Sequence, residues 1–527
     1  MNLQAILGRG YFPRELPPAF TTNSFASVID GSLASLPSGF RFRPRGNVTS
    51  QASIHNLARA GTLRRKLSIP NPVNYFQLSS AIVDSWNALF KQMSQSSFSL
   101  SRPERKPGTT RAILPIRPFD HLPHARARFR AGARYVLKTD INAYYPSIYS
   151  HIIPWAIHTK SVAKRDHSLS LLGNKLDKLV RDGQDQQTIG IPIGPDTSLV
   201  IAELILSAID SLLGNEIGTP GFRYVDDYEL GFSSYSEGEN ALALLQGLLS
   251  DYELQLNPRK TEIVELPAPL EAPWASELRV FPFRSRENAL QNNLVRYFGR
   301  AFELSRQYRD DPVLNYAISR LREVPIRQTT WELYEGLLLQ CTLVEPGTVR
   351  FVVEELFRYH DGSYLIGRDR IKETFSMIIK AHCPIDHGSE VAWVLWGHLI
   401  LGIAIDDGTA RLVARLEDPV VAVLALDARS KGLIGKSTDV SSWKSLMNGE
   451  ELYRRNWLLA YEACVKGWLG PRGGRDFVSA DPCFGFLKKN KVSFYDHTLS
   501  KKYKPRMGIV SVDVSEGIET GVGGVGY

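Results

Sequence analysis

The most constraining stretch of the chain is Phe222–Phe232, FRYVDDYELGF, where Asp226 and Asp227 stand side by side with apolar residues before and after them. Carboxylates are costly to hold among apolar side chains unless a cation or hydrogen bonds compensate them. The run has strand character, so the pair falls where a turn interrupts it. One reading is a hairpin turn with solvated aspartates, a common use of Asp. The other is a turn that presents two carboxylates to divalent metal.

A second segment, YVLKTDINAYYPSIY, places Asp140 at the end of a β-rich run, just before a turn into a helix predicted near Pro146. A strand-terminal Asp by itself is commonly a turn or cap residue. Its weight comes from what else the chain carries. Two-metal phosphoryl transfer needs carboxylates from separate strands, holding ions about 3.5–4 Å apart against the attacking 3′-oxygen and the leaving pyrophosphate. Asp140 and Asp226 supply such a pair.

Two further segments follow in order. In GIPIGPDTSLVIAEL, Gly190 and Gly194 permit close backbone approach to a ligand. The plain alternative is a loop before a helix capped by Asp196 or Thr197. In LQLNPRKTEIVEL, the plain reading of Lys260 is a surface lysine between two elements.

A chain of 527 residues exceeds the roughly 250–300 that one core sustains, so two domains are expected. The net charge is +8, and Arg126, Arg128, Arg130, Arg134 and Lys138 crowd ahead of Asp140. This fits a polyanionic partner or simply a solvated basic face. Cys341, Cys383, Cys464 and Cys483 form no CxxC pair, so they read as core thiols in a reducing cytosol. The N-terminal MNLQAILGRGYFPRELPP has no signal-peptide layout, and export is not expected. The apolar window Val391–Ile405 is shorter than the roughly 20 residues that span a bilayer and contains His398. It reads as a buried helix, and no membrane partner is expected.

The fold class expected is α+β. Residues 1–70 read as an N-terminal arm, with Gly10 to about Phe40, rich in Pro, Ser and Phe, taken as extended rather than regular. A helix is predicted over Asn71–Met93, then strands joined by a proline-broken basic loop between Ala112 and Asp140. Strands over Tyr135–Ile141, Phe222–Phe232 and Glu262–Leu266 alternate with helices from Tyr145, Thr197 and Glu237, which gives an α/β unit over 71–280. Residues 281–505 read as successive amphipathic helices, as a HEAT-like solenoid or an irregular bundle. Residues 506–527, ending GIETGVGGVGY, read as a disordered tail.

Over roughly residues 70 to 270 the four motifs together resemble the reverse transcriptases, whose palm carries an Asp followed five residues on by an aromatic, and later a YxDD turn. Asp140 with Tyr145, and YVDD at Tyr224–Asp227, match this pattern. The resemblance implies a fingers and palm fold with catalytic Asp140, Asp226 and Asp227. It implies a metal set of Asp140, Ile141, Asp226 and Asp227 holding Mg2+ or Mn2+, and dNTPs as substrates. Tyr145 would close the space beside the sugar 2′ carbon and exclude ribonucleotides. Gly194, Lys260 and the basic residues Arg126 and Arg128, on an expected fingers hairpin, would contact the nucleotide. The family usually has Gln where Ile193 stands, which removes an amide near the template or nucleotide.

The FPRELPP arm, the IPIG loop and the helical C-terminal region resemble the bacterial abortive-infection defence reverse transcriptases, AbiK-like in layout. That resemblance implies a cytoplasmic homo-oligomer acting against phage, with a HEAT-like domain closing a channel around the product. DNA synthesis in such enzymes is either template-independent and primed from a tyrosine, leaving DNA covalently attached to protein, or copied from a partner noncoding RNA. Tyr453, Tyr461 and Tyr527 are among the tyrosines of the helical half, but aromatic residues at helical spacing are usually core, and no primer is assigned. The rival from another class is a nucleic-acid-binding scaffold with an idle palm, against which the intact aspartates speak. No acidic cluster with nuclease spacing follows Pro269.

Overall fold

The computed structural model describes residues 2–61, 63–105, 109–218, 220–284, 287–471 and 474–504. The tail expected at 506–527, with Tyr527, lies outside them. The N-terminal residues are not an extended arm. They form helices Leu3–Arg9 and Asn23–Gly31, and then an antiparallel hairpin of β1 (Ser53–Ala58) and β2 (Arg64–Ile69). In NSFASVIDG, Phe25, Ala26 and Ile29 share one buried face, which is enough to make a helix of a Ser-rich segment once a core receives it. The expected helix over 71–93 is split into α1 (Pro72–Asp84) and Trp86–Met93. Pro72 sits in the first turn of α1, where its missing N–H is harmless, and the Asn71 side chain caps Val73 N.

The segment from Leu122 to Arg130 is a helix, α2, where the sequence reading placed a basic loop and the resemblance a fingers hairpin. Next come β3 (Tyr135–Asp140), the long helix α3 (Asp196–Glu216), β4 (Gly221–Tyr224), β5 (Asp227–Phe232), α4 (Tyr235–Asp251) and β6 (Glu262–Glu265). The strands form one antiparallel sheet in the order β4-β5-β3-β6. Side chains alternate across a strand. Leu137 and Thr139 therefore share one face with their partners Leu230 and Tyr228, and Lys138 and Asp140 share the other with Glu229 and Asp227. The first face packs on the helices and the second carries the acids. Among the described residues, α3 is the helix long and apolar enough to cross a membrane, and 78% of its apolar window is buried inside the protein.

Beyond the sheet the chain is helical: α5 (Glu287–Gln307), α6 (Gln328–Val344), α7 (Val349–Asp361), α8 (Arg368–His382), α9 (Gly388–Leu401), α10 (Pro419–Ser430) and α11 (Trp457–Val465), with shorter helices between and after them. Every residue of α9 is buried, and it packs on α7, α8, α10 and β1. One core runs through both halves. Tyr11 stacks on Tyr75 at 4.0 Å, Phe494 meets Tyr11 edge-on, and Trp457 Nε1 donates to the Ile69 carbonyl. The four cysteines are free thiols.

His398 lies fully buried in α9, and its Nδ1 donates to the Ile403 carbonyl at 2.9 Å. A carbonyl only accepts, so Nδ1 carries the proton. Nε2 has no hydrogen-bond partner among the described residues, and burial pushes the imidazole down to about 4. A histidine depressed in the folded state favours folding above its unfolded value of 6.5, and this stability is lost as pH falls toward 4. Between pH 7 and pH 5 the loss is about 2 kcal/mol. His398→Gln is expected to remove that part of the acid sensitivity, read as the shift of the urea midpoint between the two pH values.

Candidate active site on the palm sheet

Asp140 ends β3 directly opposite Asp227, the first residue of β5. Directly opposed residues in an antiparallel pair have Cβ atoms about 4.5–5.5 Å apart, and like charges there repel. Asp226 lies in the two-residue loop that joins Tyr224 to its partner Asp227. The three acids of the sequence reading therefore meet at one end of the sheet. The Ile141 side chain is buried, its N–H reaches the Asp226 carbonyl at 3.3 Å, and only its backbone could serve an ion.

The loop is strained. Val225 has φ +54°, where a β-branched side chain is disfavoured and where a tight hairpin turn of this kind ordinarily places glycine. Such a conformation costs about 1–3 kcal/mol and persists only if its surroundings impose it. Ser101 Oγ accepts from Val225 N at 2.8 Å, and Arg223 Nη1 donates to the Val225 carbonyl at 2.7 Å. Arg223 itself is fully buried against Glu203 and Asp210 of α3, at 2.8 and 2.7 Å. Ser96 and Tyr228 donate to Asp210, and Ser101 and Ser207 donate to Glu203. Burial works against the guanidinium charge, but Asp210 and Glu203 outweigh it and hold the Arg223 pKa above its ordinary value. The same helix accepts the Tyr144 hydroxyl at the Ala202 carbonyl, 2.7 Å, just past the turn that follows Asp140.

Asp140 is 4% exposed. Its Oδ2 takes Lys260 Nζ at 2.8 Å and Asn257 Nδ2 at 3.2 Å, while Oδ1 has no hydrogen-bond partner among the described residues. The LQLNPRKT segment thus reaches the end of β3, and the Lys260 ammonium stands against Asp140 where a metal cation would neutralise it. A partnerless buried carboxylate oxygen, an opposed second carboxylate and a third acid in the adjoining loop fit a hard divalent cation with oxygen ligands, such as Mg2+.

The other expected contacts divide. Tyr145 is half-buried between the two apolar clusters of the domain, and its carbonyl accepts from Ile191 N at 3.0 Å. Gly194 has φ +122°, and a Cβ there would lie 2.5 Å from Pro13 Cγ. The close approach that this glycine permits is made by the chain's own N-terminal segment. Asp196 does not cap α3. It binds Arg111, whose guanidinium also donates to the Phe12 and Gly194 carbonyls. Arg126 is a correction to the nucleotide-binding set: it pairs with Glu229 at 2.6 Å and donates to the Leu270 carbonyl, and Arg130 shares Glu229 at 3.1 Å. One helical turn separates the two arginines on α2, so both reach the same acid. Arg128 points away from that face and is exposed.

Residues 56–301 match the sequence profile of the family described as reverse transcriptase (RNA-dependent DNA polymerase). The chain carries a reverse-transcriptase domain. The match contains the sheet, the strained turn, α3 and Lys260, and the activity class is that of an RNA-directed DNA polymerase-like nucleotidyltransferase. No curated protein matches the chain. Sequence reading of this reverse-transcriptase domain missed Arg223, Glu203, Asp210 and Ser101. The signal was there: Glu203 and Asp210 are the two acids inside the apolar stretch LVIAELILSAIDSLL, seven residues apart and so on one face of a helix.

Arg223→Met would leave two carboxylates buried without their cation and release the Val225 carbonyl. It is expected to cost about 3–5 kcal/mol, measured as the loss in urea or thermal stability of the whole chain. Loss within about 1 kcal/mol, the range of an exposed pair, would show that the cluster does not support the turn.

Proposed function

We propose that the reverse-transcriptase domain polymerises deoxynucleotides through Asp140, Asp226 and Asp227, and that it serves bacterial anti-phage defence by protein-primed, template-independent DNA synthesis. The observation that carries the catalytic part is the opposed Asp140–Asp227 pair beside Asp226, set in a turn whose strain is imposed by a buried ionic cluster. Strain held at such cost is characteristic of functional sites. Mg2+ or Mn2+ bound by the three acids, with the Ile141 backbone, would supply Lewis-acid stabilisation of charge on the attacking 3′-oxygen and the leaving pyrophosphate. Lys260, already beside Asp140, is placed to offset charge on the departing pyrophosphate. Tyr145 walls the sugar side, and exposed Arg128 remains available to a triphosphate.

Ile193 in place of the family's usual glutamine supports synthesis without a conventional template, since no amide stands at that position to engage template or nucleotide. The defence role, a cytoplasmic homo-oligomer and a HEAT-like helical half around the product rest on the resemblance in layout. The primer is not assigned: the Tyr461 hydroxyl is buried on the Val492 carbonyl, and the Tyr453 hydroxyl is held by Asp481 at 3.0 Å. A second reading, complementary-DNA synthesis on a partner noncoding RNA, draws on the match to an RNA-dependent family and the net charge of +8.

Asp140→Asn and Asp226→Asn are each expected to lower dNMP incorporation by at least about 10^3-fold while preserving the circular-dichroism spectrum. Unchanged incorporation in the double variant would sink the assignment. With magnesium and labelled dNTPs but no template, label is expected on the protein band until nuclease is added. Activity that appears only when cellular RNA is restored would replace protein priming by the second reading, and an inert protein under both conditions would favour a scaffold. Tyr145→Ala is expected to raise ribonucleotide use relative to deoxynucleotide by about tenfold or more, the usual worth of a steric gate; an unchanged ratio would remove Tyr145 from sugar selection.

A further inference from the structure

A second cluster of ligand-type side chains lies far along the chain from the palm acids, where α8 turns into α9. His382 is the last residue of α8, His387 immediately precedes α9, and Glu390 is in the first turn of α9. Between them runs a single 3-10 turn, Cys383–Ile385, and then Asp386 at φ +54°. His387 N closes the turn on the His382 carbonyl at 3.1 Å. The turn brings three potential ligand atoms together. The two Nδ1 atoms are 3.0 Å apart, and they lie 3.5 and 3.6 Å from Glu390 Oε1. Among the described residues, these three form a group of His, Cys, Asp or Glu ligand atoms within 4.8 Å of one another.

Those separations have a specific meaning. Ligands about 2.0–2.1 Å from a tetrahedral Zn2+ stand about 3.3–3.4 Å from one another, and the observed triangle brackets that value. Hydrogen bonds serve the arrangement poorly. A proton on one Nδ1 can serve only one of the three contacts well, and protons on both would face each other across 3.0 Å. A single cation satisfies all three atoms at once. Glu390 is fully buried and held in orientation by Ser389 Oγ at 2.7 Å and by Arg64, whose Nη2 donates to Oε2 at 2.8 Å and Nη1 to Oε1 at 2.5 Å. Carboxylate oxygens have two lone pairs, so Oε1 can serve the guanidinium and a metal together. The histidine side chains are 14% and 22% exposed, which leaves room for a solvent ligand in the fourth position.

We propose that His382, His387 and Glu390 form a Zn2+ site, chemically distinct from the oxygen-only palm site. Two imidazoles and one carboxylate select Zn2+ over Mg2+, which prefers oxygen ligands and retains its water. The metal would stiffen the seat of the β1–β2 hairpin on the helical half. Arg64 of β2 ends on Glu390, Asn56 of β1 donates to the Asp386 carbonyl at 2.8 Å, and Ala58 N donates to Ser389 Oγ at 2.9 Å.

The test uses the full-length chain, stripped with chelator and titrated with Co2+ as a spectroscopic stand-in. One equivalent is expected to give the intense visible bands of a tetrahedral site, displaced by Zn2+ but not by millimolar Mg2+. The bands should persist in Asp226→Asn and vanish in His382→Gln and His387→Gln. Should a histidine variant misfold, mass-spectrometric footprinting of wild-type imidazoles with diethylpyrocarbonate decides the matter, with Zn2+ expected to protect His382 and His387. Absence of a saturable Co2+ band, a band that survives both histidine substitutions, or equal labelling of the two histidines with and without Zn2+ would overturn the site.

Discussion

The buried guanidinium of Arg223 is the interaction on which the aspartate-bearing end of the sheet depends. It sits with no solvent exposure between Glu203 and Asp210, and the excess negative charge is met by hydroxyls of Ser96, Ser101, Ser207 and Tyr228. A buried ion pair is not in itself a strong stabiliser, because desolvation opposes the attraction. Its worth here is geometric. The cluster fixes the Val225 carbonyl and thereby the left-handed turn that places Asp226 beside the Asp140–Asp227 pair. Because both acids belong to α3, and α3 also receives the Tyr144 hydroxyl, one helix sets the height of both turns that carry the aspartates.

A second buried pair, Arg111 with Asp196, performs a similar task at the other end of α3. Through the Phe12 and Gly194 carbonyls it ties the N-terminal segment to the loop before the helix, and Pro13 fills the space left by the missing side chain of Gly194. The N-terminal residues are thus part of the domain rather than an appendage. Tyr11 lies between Tyr75 of α1 and Phe494 of the helical half, so the same short segment joins elements more than 400 residues apart. Aromatic burial of this kind makes the two halves one core.

The acidic face of the sheet is divided by how its charges are compensated. At its near end stand Asp140 and Asp227, with Lys260 as the neighbouring cation. Two residues further along β5, Glu229 is neutralised by Arg126 and Arg130 and covered by α2. Acids on the same face and strand thus differ in whether arginines of the chain already compensate them. Asp140 keeps one carboxylate oxygen without a hydrogen-bond partner among the described residues.

How far the sequence reached follows from the range of the forces involved. The sheet strands, α3 and the helices of the C-terminal half were legible because alternation and helical spacing are local, and YVDD with Asp140 was legible because paired acids in apolar runs are rare without a purpose. The helix Asn23–Gly31, the β1–β2 hairpin and the helical state of Arg126–Arg130 were not, since each is stabilised by surfaces supplied from distant parts of the chain. Arg126 looked like a triphosphate contact because its charge was visible and Glu229, its partner 103 residues later, was not distinguishable from any other acid. By itself the sequence determined the kind of chemistry, since residue types and their order along the chain are what a carboxylate site requires. Only the tertiary structure decided which charges are already neutralised, which glycine is filled from within, and which valine is held in strain, because those depend on distances between residues far apart in sequence.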